Sequence, residues 1–401
     1  MKVGWDWANE VHHVSVVDDA GGLVDAFEVH HSEEGINKGL ARLRRHGEPA
    51  DLPIAIERPS GLVVERLLAA GYPVVPIHPN AFNAARPRWG ASRSKSDPKD
   101  SYCLADYLRT DGHRLRAVMP MDQPAQGLRA LSRLRDDHVS AKVAATNRLS
   151  SLLAAHWPGA GAVFSRLDSA VALAFLADYP TPESASRLGE SRMAMFCKRH
   201  SYSGRRSPAE LLKRLREAPV APATLEPGLL AELVRAQASV LAALVGTVAD
   251  LDRALGAMLL ANPRARLLEA LPRIGTINLG QVVAEVGPIL DRCVDCEHAC
   301  AEVGAAPVTR RSGKGEAVNF RWAANAPARK ALAIFADNSR HDCAWAADLY
   351  RQARARGKRH PHAIRILMRA WMRVIWACWQ SGRPYDPALH GAGQRLARAA
   401  A

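Results

Sequence analysis

Apolar and polar positions alternate along Lys2–Trp7, His13–Val17 and Leu23–His30, and this period of two predicts three strands separated by turns at Ala8–Asn9 and Asp18–Gly22. The period then changes. Glu33–His46 has helical spacing, Pro53–Glu57 is a short buried-strand run, Gly61–Ala70 is helical and Pro73–His78 reads as another strand. From Pro79 the pattern is helical again, with a break at Pro87. Between Gln123 and Trp157, Leu128, Leu131, Leu134, Val139, Val143, Leu149, Leu152 and Leu153 predict a long helix. A second, from Gly228 to Leu260, carries Leu233, Val240, Leu244, Val248, Leu251 and Leu255, so the two predict an antiparallel, coiled-coil-like arm.

The residues between these long helices are punctuated by Pro180, Pro182, Gly189, Gly204, Pro208, Pro219, Pro222 and Pro227, and read as a helical insertion with loops. Residues 267–287 read as two short helices joined by a turn at Pro272–Gly275, and further helices are expected over Pro327–Ser339, Cys343–Arg356 and His362–Trp379. The fold class is therefore α/β plus all-α. Residues 1–120 form a mixed sheet flanked by helices, the strand plan of an RNase H-like domain. Residues 121–262 form the arm, 263–390 a mainly helical carboxy-terminal domain, and 391–401 an Arg/Ala-rich tail expected to be disordered.

Composition narrows the class. Of 401 residues, 48% are hydrophobic and 23% charged, too apolar for a disordered chain. No apolar run approaches the ~18 residues of a membrane span and MKVGWDWANE lacks a signal-peptide pattern, so a cytoplasmic chain without a membrane partner is expected. Seven cysteines, an odd number, fit a reducing compartment. Net charge is +14, distributed as −2 over residues 1–110, +3 over 111–304 and +13 over 305–401. A basic last quarter of that density points to nucleic acid.

The acidic first segment carries the candidate chemistry. Asp6 interrupts an apolar strand, where a charge is costly unless compensated. Glu57 ends another such strand, just before Arg58–Pro59–Ser60–Gly61. Asp97 and Asp100 open a helix, Asp97 as an expected N-cap with Pro98 at the first helical position. Convergence of the four at one end of a sheet makes a hard oxygen site for Mg²⁺ or Mn²⁺, of a kind suited to phosphodiester cleavage. Taken singly, Asp97 reads equally as a cap and Asp100 as a helix-dipole partner. Cys293, Cys296, His298 and Cys300 read as packed thiols rather than a zinc site, and Trp5 and Trp7 as packing residues on the opposite face from Asp6.

GWDWAN, IERPSG and KSDPKDSYCLA, in this order and spacing, resemble the DEDD transposases of bacterial insertion sequences, of the "one-ten" type. The resemblance implies a RuvC-like fold of the RNase H class, with Asp6, Glu57, Asp97 and Asp100 as metal ligands. LLEALPRIGTINLGQVVAEVG resembles the family's helix–hairpin–helix, with Arg273 where the first glycine is usual, and EVGAAPVTRRSGKGEAVNFRW its serine segment. That likeness carries the catalytic nucleophile onto Ser312, with Arg310, Arg311, Lys314 and Arg321 expected to supply part of the cationic field around the phosphate. Arg365, Arg369 and Arg373, four residues apart, are expected to form one phosphate-tracking helix face.

The resemblance further implies a recombinase that cuts and rejoins DNA, a structured noncoding guide RNA, and a homo-oligomer, dimer or tetramer. Two other functions fit the same residues: a RuvC-like nuclease in which metal-activated water attacks, and a noncatalytic RNA-binding scaffold. A sugar-kinase or actin-like ATPase ranks last, because no glycine-rich phosphate loop follows Asp6.

Overall fold

The computed structural model describes residues 1–90, 97–312 and 315–391, with the backbone alone at 97 and 316. It divides into two compact units, Met1–Pro120 and Met121–Ala401.

In the first unit, β1 (Lys2–Asp6), β2 (Val11–Val17) and β3 (Leu23–His30) are antiparallel neighbours, and β4 (Ile54–Ile56) and β5 (Val74–Pro76) extend the sheet in parallel, in the order β3-β2-β1-β4-β5. The mixed sheet expected from the period change is present. Its helices are α1 (Glu33–Leu43), α2 (Leu62–Ala69), α3 (Pro79–Ala85) and α4 (Asp97–Asp111). Strand alternation sends Val3, Trp5, Ile54 and Ile56 into one core with Ile36 and Leu40 of α1 and Val63 and Leu67 of α2. Ala55 and Val75 go into the opposite core with Phe82 of α3 and Leu104 and Leu108 of α4.

Gly4 lies on that second face, where α4 crosses β1 in close contact. A Cβ at Gly4 would collide with the Ser101 carbonyl oxygen and lie 2.6 Å from the Ala105 nitrogen. Only glycine permits this approach. The Ser15 and Ser101 hydroxyls, 2.7 Å apart and buried, tie β2 to the same turn of α4. Helix α4 begins at Asp97 itself, one residue earlier than the N-cap assignment implies.

In the second unit, α5 (Gln123–His156) is followed by the insertion helices α6 to α10 (Pro158–Val163, Ala170–Asp178, Pro182–Ala185, Glu190–Arg199 and Pro208–Glu217) and by α11 (Pro227–Leu260). Helices α5 and α11 run antiparallel. Arg135 bonds Asp252 at 2.8 Å near one end, and Leu149 and Leu153 share a core with Leu230 and Val234 at the other. Among the described residues α11 is long and apolar enough to cross a bilayer, which corrects the expectation that no such run exists. Here Leu230, Val234, Leu241, Val248, Leu255 and Leu259 form its buried face.

Beyond the arm come α12 (Thr276–Glu285), α13 (Gly287–Arg292), α14 (Cys296–Glu302), a hairpin of β6 (Val308–Ser312) and β7 (Gly315–Asn319), then α15 (Ala326–Ser339), α16 (Ala344–Ala355) and α17 (His360–Ser381). The first helix expected within 267–287 is absent. Amides of Ala265, Leu268, Leu271 and Ile274 each bond a carbonyl three residues back, and all four residues are buried. A period of three is the repeat of a 3₁₀ turn, so the chain descends to α12 in tight turns rather than as a helical hairpin. Arg273 sits on this descent with φ +55°, in the left-handed region that glycine adopts without strain.

Candidate active site

The register of β1 and β4 places the first two carboxylates. Gly4 pairs with Ala55 and Trp5 with Ile56, so Asp6 and Glu57 occupy the next step, side by side at the carboxyl ends of adjacent parallel strands about 4.8 Å apart. Asp6 lies on the same face as Gly4, and Glu57 on that of Ala55, the face covered by α4. Asp100 is on the first turn of α4 with its side chain 5% exposed. Both of its oxygens accept from Arg86, at 2.6 and 2.8 Å. The Asp100 hydrogen bonds push the Arg86 pKa up against the cost of burial, and the charges of Asp100 and Glu57 add to the rise.

Residues that follow the carboxylates lock their positions. The Arg58 guanidinium lies 3.6 Å from the centroid of the Trp7 ring, clasping the chain just past Glu57 to the chain just past Asp6. The Ala8 amide donates to His12 Nδ1 at 3.1 Å, which leaves the ring's proton on Nε2, 3.0 Å from His31 Nδ1. Arg86, Arg58 and His12 were not singled out in the sequence. Arg58 meets Trp7 where β1 and β4 lie side by side, and Arg86 meets Asp100 of another helix, so neither contact shows as a local spacing.

Ser312 ends β6 and is exposed, paired in register with Gly315. Arg310 and Arg311, also exposed, precede it on the strand. Lys314 lies outside the described residues. Arg321 follows β7 and donates to the Ala306 and Pro307 carbonyls at 3.2 and 3.5 Å, bracing the base of the hairpin.

The expected basic face of α17 is also reshaped. Arg369 and Arg373 both donate to Glu297 of α14, at 2.5 and 3.1 Å, while Arg365 lies 4.8 Å from the centroid of Phe320. With Arg321 they line one cleft of about 500 Å³. Cys296 and Cys300 are 4.0 Å apart on α14, Cys293 faces Glu302 at 3.6 Å, and His298 bonds Asp295.

Residues 3–158 match a transposase family of DEDD type, and residues 265–351 match the family described as transposase IS116/IS110/IS902. The chain is 31% identical to a mini-circle putative transposase for IS117 from Streptomyces coelicolor, over 96% of this chain and 94% of that one. The chain belongs to the IS116/IS110/IS902 family of insertion-sequence transposases. It is also 27% identical to a 44.8 kDa protein of insertion element IS116 from Streptomyces clavuligerus, over 96% of each chain. A 42 kDa protein of insertion element IS900 from Mycobacterium paratuberculosis is 24% identical over 96% of this chain and 97% of its own.

A transposase of DEDD type is a DNA-transferring enzyme whose carboxylates suit divalent cations. The donor chemistry here fits: Asp6, Glu57 and Asp100 are hard oxygen donors directed to one face of the sheet, and a guanidinium already stands in as the cation against Asp100. The side chain of Asp97 lies outside the described residues. Among the described residues no three Asp, Glu, His or Cys side chains are grouped closely enough to hold an ion. Both oxygens of Asp100 are held by Arg86.

Proposed function

We propose that this transposase cuts and rejoins DNA strands with Ser312 as nucleophile and with Asp6, Glu57, Asp97 and Asp100 holding Mg²⁺ or Mn²⁺. The observation that carries the reading is the β1–β4 register, which sets Asp6 and Glu57 side by side beneath the helix that bears Asp97 and Asp100. The strand order of the first unit supports the RNase H-like assignment. Divalent cations bound there polarise a phosphodiester and neutralise charge that develops on its oxygens. The chain's own residues do the rest. Asp6 and Glu57 hold fixed positions because the Arg58–Trp7 clasp and the Gly4 contact leave the strand ends little freedom. Ser312 Oγ attacks phosphorus, the phosphorus–oxygen bond to the leaving strand breaks, and the hydroxyl proton passes to a base or solvent, leaving a phosphoserine link to DNA. Reversal with a second strand's hydroxyl rejoins the ends.

Arg273, Arg310, Arg311, Lys314, Arg321, Arg365, Arg369 and Arg373 meet phosphates of DNA and of a structured noncoding guide RNA. Sequence choice then rests on base pairing, and the protein reads backbone and shape. The working form is a homo-oligomer in the cytoplasm.

The test is trapping. Incubated with element-end DNA and guide RNA, the wild-type chain gives a covalent protein–DNA adduct, Ser312→Ala gives none, and Asp6→Asn binds nucleic acid without cutting. Cleavage that leaves no protein on the DNA would mean that water attacks. Equal adduct from Ser312→Ala would remove the serine from the reaction.

A further inference from the structure

The cleft of the second unit has a charge that its own residues do not balance. Phe320, Arg321, His362, Arg365, Arg369 and Arg373 are among its walls. Glu297 answers Arg369 and Arg373 from one side, but the Arg369 Nε is buried without a hydrogen-bond partner. Arg365 makes no hydrogen bond or ion pair among the described residues. Its guanidinium shares the Phe320 ring with that of Arg329, at 4.8 and 4.7 Å from the centroid. Arg329 donates to the Arg321 carbonyl at 2.6 Å, yet its Nε is also buried and unpartnered. Burial pushes the pKa of both guanidiniums down, and Arg329 lowers that of Arg365 further.

Two like charges held against one aromatic ring are stabilised by its face only in part. A guanidinium carries five donors in a planar fork; that of Arg365 is half-buried at the cleft wall, beside the buried, unmet Nε atoms of Arg329 and Arg369. The partner that satisfies such a fork is an anion with several acceptor oxygens, of which phosphate is the best match. The cleft volume admits a nucleotide unit as well as its phosphate.

The hairpin links this cleft to Ser312. Asn319, at the cleft, pairs with Val308 at the start of β6, and Ser312 stands at its other end. Four residues of extended strand span about 13 Å, so the cleft and Ser312 lie within reach of phosphates a few nucleotides apart on one strand.

We propose that the cleft is a phosphodiester pocket for the DNA strand that Ser312 attacks, with Arg365 as its principal ligand, gripping a backbone phosphate a few nucleotides from the one cut. The proposal rests on the reading of Ser312 as nucleophile for the strand and the spacing, though not for the anion pocket.

The test is melting of the full chain in sodium phosphate and in sodium chloride at equal ionic strength, followed by binding of a short single-stranded DNA and of the same sequence as RNA. Phosphate is expected to raise the melting temperature of the wild type. Arg365→Met is expected to lose the phosphate shift and to bind the DNA about tenfold more weakly. Arg365→Gln should lose the phosphate shift as well, whereas Arg351→Met, an exposed arginine of α16 outside the cleft, should keep it. A phosphate shift retained in either Arg365 variant overturns the pocket, and tighter binding of RNA with the same dependence on Arg365 overturns its assignment to DNA. In element-end DNA, one uncharged methylphosphonate scanned over the few nucleotides next to the cut should weaken the wild type and not Arg365→Met at one position, and equal weakening of both at every position overturns the spacing. If Ser312→Ala still forms adduct while the phosphate shift follows Arg365, the reading of Ser312 has failed and the pocket has not.

Discussion

Arg86 and Asp100 form a nearly closed electrostatic unit, since the carboxylate is 5% exposed and accepts from both terminal nitrogens of one guanidinium. Removing one partner of such a pair leaves a buried charge uncompensated, which costs about 3–5 kcal/mol. Arg86→Gln is therefore expected to lower the melting temperature. Mg²⁺ or Mn²⁺ should restore part of that loss, because a divalent ion takes over the role of the guanidinium. A metal-dependent rise no larger in Arg86→Gln than in the wild type would separate Arg86 from the cation site. Sequence spacing pointed to Asp6 by its cost in an apolar strand, but Arg86 looks like any surface arginine near a proline. Arg273 teaches the converse: its sequence position marks an absent glycine, and its backbone keeps the glycine conformation.

Strands and helices of the first unit were legible because each has a strong period, and so were the acidic ends of two short apolar runs, but the pairing of β1 with β4 was not. The β6–β7 hairpin was not legible. VTRRS and GEAVN hold few apolar residues, and the described side chains of the hairpin are largely exposed, so no buried face writes an alternating pattern. The 3₁₀ descent was misread as helix because leucines three apart satisfy both repeats over one or two turns.

Loop anchoring at the β1 end has a measurable acid dependence. His12 is fully buried, and burial first, then the charges of His31 and His13, lowers its pKa to about 4. The unfolded chain takes up this proton near the ordinary value of 6.5, so the neutral ring's stability is complete above about pH 6.5 and is lost as pH falls toward 4. The full loss is about 3 kcal/mol, and denaturant titrations between pH 7 and 4 should show it. His12→Asn, whose amide oxygen can still accept from the Ala8 amide, should flatten that slope. An unchanged slope would assign the acid sensitivity to other groups.

At the scale of the whole molecule, the second unit is held together by a buried polar joint as well as by leucines. Glu285 of α12 is 3% exposed and accepts from Arg133 of α5 at 2.7 and 3.0 Å, with Arg129 3.5 Å away. Leu128 of the same helix and Leu255 and Leu259 of α11 belong to the core of α12, α15 and α17, so the arm's base is built into the carboxy-terminal core. Glu285→Gln is expected to destabilise the chain by about 3 kcal/mol in a denaturant melt, and Arg133→Leu combined with Glu285→Leu to recover part of it. Full additivity of the two single changes would show that the arginine and the glutamate act separately. None of this was legible from the pattern of the chain, because 152 residues separate the partners and neither has an unusual neighbour.

The contact between Gly4 and α4 has a genetic corollary. Any single-base missense change in a glycine codon specifies a residue with a β-carbon, so each such change at this codon forces the helix off the strand that carries Asp6. A mobile element accumulates such changes wherever its copies escape selection, and this codon is a place where one of them is enough to silence a copy.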